Sequence, residues 1–121
     1  VPDVFLNCSP DSDVFDTEDL LDRLMGDTSL ADEIVTTFLD DARCQLTDIE
    51  CLLNRRDWPG VLFRAHTLKG AAATAGAKSL CNVALALEQA GIARYFDRCS
   101  ELLASASVEF DRFQKIVTPA A

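Results

Sequence analysis

The sequence predicts an all-α fold: an antiparallel up-down-up-down four-helix bundle with a short extra helix at its N-terminal end. Three observations carry this expectation. Apolar residues recur three and four apart through four segments long enough to be helices. Aspartate, glycine and proline punctuate the junctions between those segments. No stretch shows the strict alternation of a half-buried strand, and there is no internal repeat. Links this short make neighbouring helices antiparallel. The 121 residues, 49% of them apolar, suit one compact domain with a core.

Residues 1–15 hold Pro2, Ser9, Pro10, Asp11, Ser12 and Asp13 and read as an extended segment with a turn. Val4, Phe5 and Leu6 have no partner legible in the sequence. The bundle domain is expected over 16–118. Asp16 or Thr17 starts a short helix with Glu18 and Asp19 in its first turn, where carboxylates suit the helix dipole. Leu20, Leu21, Leu24 and Met25 form its apolar side, and Gly26 ends it. Asp27, Thr28 or Ser29 caps the next helix. Leu30, Ile34, Phe38, Ala42, Leu46, Ile49 and Leu53 recur through it to about Asn54, a helix of about 40 Å. Asp32, Glu33, Asp40, Asp41 and Asp48 are its solvated side.

Arg55, Arg56, Asp57, Trp58, Pro59 and Gly60 turn the chain into a third long helix. Asp57 is its N-cap, and Pro59 is tolerated in the first turn. Trp58 plugs the end of the bundle, and Arg55 and Arg56 complement the C-terminal end of the helix before. Gly76 stops this helix after Ala75. The next carries Leu80, Val83, Ala84, Leu87 and Ala90 up to Gly91. The last covers 92–117, with Phe96, Cys99, Leu102, Leu103, Ala106, Phe110, Phe113 and Val117 on its apolar side.

The third long helix contains the only histidine of the chain. At roughly 100° per residue, Val61, Ala65, Leu68, Ala72 and Ala75 share one face. His66, Lys69, Gly70 and Ala73 share the other, at i, i+3, i+4 and i+7. The histidine therefore points away from the core, with a lysine one turn ahead and small residues beside it. A neutral imidazole is a nucleophile that forms covalent intermediates. A neighbouring ammonium can bind an oxyanion carried on that ring. Gly70 and Ala73 leave room for a partner surface, and Leu62 and Phe63 give it an apolar rim. The following helix brings Lys78, Asn82 and Glu88 into reach of the histidine.

His66-Thr67-Leu68-Lys69-Gly70, followed by Ala71-Ala72-Ala73-Thr74-Ala75-Gly76-Ala77 and Leu80, resembles the signature of histidine-containing phosphotransfer (HPt) domains. These are the phosphoryl carriers of multistep two-component relays. Asp57-Trp58 before the motif and Leu87-Glu88 after it extend the resemblance, which runs from about Phe15 to Val117. The resemblance implies that His66 is phosphorylated by a receiver-domain aspartate and hands the group to another receiver. It implies that Lys69 steadies the phosphoryl group and that Gly70 leaves room for the receiver. A Glu or Gln at the position of Glu88 supports the site in some members. Its partners would be response-regulator receiver domains and a hybrid histidine kinase. No metal ligand set or phosphate loop is legible, so magnesium belongs to the partner receiver and the chain is a carrier with no cofactor, rather than an enzyme.

A net charge of −9 disfavours nucleic acid and anionic membranes as partners. It is also awkward for docking an acidic receiver pocket, so positive charge from Arg64, Lys69 and Lys78 is expected to gather near His66. No apolar run reaches the ~20 residues of a membrane span. The five cysteines, Cys8, Cys44, Cys51, Cys81 and Cys99, form no CxxC pair. A scattered odd set fits a reducing, cytoplasmic setting with cysteine as a small buried hydrophobe. The chain opens Val1-Pro2-Asp3 without methionine, as a module of a hybrid sensor kinase would. As an isolated domain it is expected to be monomeric. The main rival is a phosphorylation-independent binding module that docks a receiver or other partner on the same surface. A kinase dimerisation domain, which would have to be a dimer, and a haem- or ion-binding bundle are further rivals.

Overall fold

The computed structural model describes residues 11–118. Six helical segments follow one another: α1 (Asp11–Val14), α2 (Thr17–Arg23), α3 (Thr28–Asn54), α4 (Trp58–Ala75), α5 (Lys78–Ile92) and α6 (Phe96–Val117). The last four form the antiparallel bundle. α4 packs on α3 and α5, and α6 closes the ring against α5 and α3. Among the described residues there is no strand, and no helix is long and apolar enough to cross a membrane.

Aspartates start the first three substantial helices. Asp16 accepts from the Asp19 amide at 3.0 Å, Asp27 from Leu30 at 3.0 Å, and Asp57 from Gly60 at 3.1 Å. Each bond satisfies an amide that the helix cannot pair for itself. Pro59 sits in the first turn of α4, as expected, and Trp58 is half-buried against the core. Arg56 donates to the Asn54 carbonyl at 3.1 Å, closing the end of α3, and its guanidinium lies 3.6 Å over the Phe96 ring.

Four expectations need correction. Of the expected extended N-terminal segment, residues 1–10 lie outside the described residues, but 11–14 form a helical turn instead. Val14 and Phe15 are buried, so core packing overrides the turn-forming composition there. Second, α2 ends at Arg23. Met25 takes a positive φ of 55° and is 97% exposed, so it leaves the apolar face. Third, Gly91 does not stop α5. It lies inside the helix because a Cβ there would meet Leu62 Cδ2 at 3.3 Å and Val61 Cγ1 at 3.6 Å, so α4 and α5 approach closely over it. The positive φ that reverses the chain falls on Arg94, and α6 begins at Phe96 rather than 92. Fourth, Cys99 alone is a buried cysteine. Cys81 is half-buried, Cys44 and Cys51 are exposed and free, and Cys8 lies outside the described residues.

The N-terminal segment clamps the α4–α5 link, at the far end of α4 from Trp58. The Asp16 amide donates to the Gly76 carbonyl at 2.7 Å, and Lys78 pairs with the Asp16 carboxylate at 2.7 Å. Burial opposes the charge on Asp16, but the Lys78 hydrogen bond, the Asp19 amide and the nearby Arg23 outweigh it and hold the carboxyl below its ordinary range. Arg23 donates to the Ala73 and Thr74 carbonyls, capping the end of α4. Beneath this clamp, Phe113 meets Phe15 and Phe38 edge to face, with centroids 5.2 and 5.3 Å apart.

Candidate functional site

The phase of α4 builds the site. Val61, Ala65, Leu68, Ala72 and Ala75 are fully buried, which fixes the rotation of the helix. His66 consequently points outward, with 67% of its side chain exposed. Gly70 and Ala73 lie on the same exposed face, and a Cβ built on Gly70 meets nothing within 4 Å. Phe63 is 64% exposed one turn before the histidine. Leu62 is half-buried, seated against Gly91.

Glu88 is the hub of the arrangement. One carboxylate oxygen lies 2.9 Å from His66 Nδ1, and the other accepts from Lys69 Nζ at 2.8 Å. Only 18% of the Glu88 side chain is exposed. The Lys69 hydrogen bond holds its carboxyl below the ordinary range, against the pull of burial and with help from His66. An ionised carboxylate only accepts hydrogen bonds, so it assigns the proton to Nδ1. In the neutral ring the Nε2 lone pair is then the free one. This tautomer and orientation are what a nucleophilic imidazole needs.

The remaining sequence candidates separate. Lys69 is beside the histidine but is bound to Glu88 rather than free. Arg64 pairs with Asp48 on α3 at 3.7 Å, and Lys78 pairs with Asp16. Lys78 lies ten residues before Glu88 on α5, about 15 Å along the axis. Asn82 is exposed six residues before Glu88, about 9 Å away along the same axis. The expected gathering of positive charge around His66 is therefore corrected: each of its three cations is matched by a carboxylate. Among the described residues no three His, Cys, Asp or Glu side chains converge as a metal site.

Two features escaped the sequence reading. One is that Glu88, expected within reach of the histidine, bridges His66 and Lys69; a chain folding back about position 77 sets 88 opposite 66. The other is the exposed apolar fringe of Leu85, Ile92 and Tyr95 on α5 and the turn after it. Leu30 also departs from expectation. It is exposed on α3 and lines a groove with Gly70.

Comparison with known proteins bears on the fold and the family. The chain is 29% identical over 102 residues to the virulence sensor protein BvgS of Bordetella bronchiseptica, and equally to that of Bordetella parapertussis. The match takes in 80% of this chain and 8% of each relative, so the chain spans a small part of the length of those proteins. A solved structure from rice, named as a histidine-containing phosphotransfer protein, superposes with a TM-score of 0.74 at 26% identity, over 88% of this chain and 81% of that one. Residues 33–117, which take in α4, α5, α6 and all but the first five residues of α3, match the Hpt domain family. The chain therefore belongs to that family: it is an Hpt domain, a histidine phosphotransfer module of two-component phosphorelays.

Proposed function

We propose that His66 is the phosphoryl-carrying residue, that Lys69 and Glu88 are its supports, and that Gly70, Ala73, Leu62 and Phe63 form the surface a receiver domain meets. The observation that carries this is the Glu88 carboxylate on Nδ1 of an exposed His66, one helical turn before Gly70, which has no side chain to fill the space there. The receiver's aspartyl phosphate presents its phosphorus in line with Nε2. The Nε2 lone pair forms the N–P bond as the P–O bond to the aspartate breaks, and its electron pair stays on the aspartate oxygen. The ring becomes an N-phosphoimidazolium that keeps its Nδ1 proton, and the Glu88 carboxylate faces the new positive charge. Handing on the group runs the same step backwards. Such transfer needs positioning and charge neutralisation more than further covalent chemistry.

In this reading the domain is a carrier whose transfer is completed by its partner, and magnesium is held in the receiver. Its partners are receiver domains and a hybrid histidine kinase in the cytoplasm, and it acts as a monomer. Lys78, Arg64 and Asn82 have no part in the chemistry.

The experiment is transfer of radiolabel from purified phosphorylated receiver domains. The wild-type chain should acquire acid-labile, alkali-stable label, and His66→Ala should acquire none while giving the same helical circular-dichroism spectrum. Label persisting in His66→Ala would overturn the assignment.

A further inference from the structure

On the flank of α4 away from Glu88, the seam with α3 opens into a groove of about 400 Å³. Leu30, Ile34, Phe38 and Ala71 give it an apolar lining, and Gly70 and Thr74 border it on α4. Glu33 and Asp41 border it on α3, and both are exposed. Among the described ion pairs none involves either carboxylate. Arg64, Lys69 and Lys78, by contrast, are all matched within the chain. The seam beside the histidine is thus apolar at its base and uncompensated negative at its edge. With a net charge of −9, the chain leaves the positive half of this interaction to a partner.

We propose that this groove is the specificity-determining part of the receiver-docking surface. It takes an apolar side chain of the receiver beside Gly70, while basic side chains of the same receiver meet Asp41 and Glu33. The proposal rests on the phosphotransfer reading above and adds which flank is read and by what chemistry. The groove is continuous with the site, because Gly70 lies four residues from His66, about 6 Å along α4. Asp41 and Glu33 are eight residues apart, about 12 Å along α3. A receiver face that fits carries two cations at about that spacing with an apolar residue between them. Exposed charges of this kind act mainly on encounter and selection, and are screened by salt.

The test uses the whole chain and its Glu33→Lys, Asp41→Lys double variant, with two phosphoryl donors. One is a receiver domain, phosphorylated by acetyl phosphate, that transfers fastest to the wild type in a panel. The other is phosphoramidate, a small donor that requires no docking. The double variant should accept from the receiver at least tenfold more slowly at low salt and lose most of the salt dependence. Its phosphoramidate labelling and thermal melting should match the wild type. A Glu33→Gln, Asp41→Asn variant should fall between. Wild-type rate and salt dependence in the Lys variant would overturn the proposal. So would sedimentation showing that the wild type self-associates through these two carboxylates, since the groove would then belong to a second copy. If phosphoramidate fails to label the wild type at His66, the phosphotransfer reading fails first and takes this one with it.

Discussion

Glu88 and Gly70 make opposite demands on the chemistry around His66, one by charge and the other by emptiness. Glu88→Gln keeps an acceptor within reach of Nδ1 but removes the charge opposed to the imidazolium. Receiver transfer should slow several-fold, and Glu88→Ala should slow it further, both measured as single-turnover rates. The same carboxyl has a stability signature. Its folded-state pKa is lowered, chiefly by the Lys69 hydrogen bond. Its contribution is therefore present above the unfolded-state value of about 4.3 and is lost as pH falls through the lower folded value. Urea melts should show wild type above Glu88→Gln at pH 6, with the gap closing towards pH 3. At Gly70 a Cβ enters open space. Gly70→Ala should raise stability by about 1 kcal/mol, because glycine is a poor residue inside a helix. Gly70→Arg should fold yet accept little from a receiver; a normal transfer rate would show that the space is not used. His66 and Lys69 were legible because both are read from one helix. The bridge that Glu88 makes between them was not, because it depends on how a second helix is folded back.

Whole helices were read most securely where a single residue type has one structural job. Asp57 was legible as a cap, and Asp27 as one of three candidates with Thr28 and Ser29; the starts of α3 and α4 follow from these two aspartates. Asp57→Ala should cost about 1 kcal/mol by urea unfolding. Gly76 is a sound stop for two reasons: its φ is +79°, and a Cβ would come 3.0 Å from the Asp16 carbonyl oxygen. Gly76→Ala should therefore destabilise by more than about 1 kcal/mol. Gly91 misled because glycine also serves where two helices nearly touch, and sequence spacing does not distinguish the two uses. Arg94 takes the positive φ that glycine usually supplies, so the turn after α5 carries no compositional mark. The α1 turn was missed for a related reason. Its proline- and aspartate-rich neighbourhood predicts irregular chain, whereas the burial of Val14 and Phe15 comes from contacts remote in sequence.

At the scale of the molecule, the four-helix plan was legible because periodicity and short links over-determine it. The distribution of charge was not, because pairing depends on which helices become neighbours. Arg64 finds Asp48 and Lys78 finds Asp16 only once α3, α4 and the N-terminal segment are in place. Phe113 joins that segment to α3 and α6, so Phe113→Ala should cost about 3–5 kcal/mol and loosen the clamp on the α4–α5 link. Accelerated amide exchange at Gly76 and Ala77 would report the loosening. The single carboxylate shared by an imidazole and an ammonium has one more consequence. On the proposed reading of His66 as the carrier, Lys69 has a flexible stem on which to turn from Glu88 to the phosphoryl oxygens. In that reading, loading and unloading come down to the exchange of one ion pair, as Lys69 leaves the Glu88 carboxylate and returns to it.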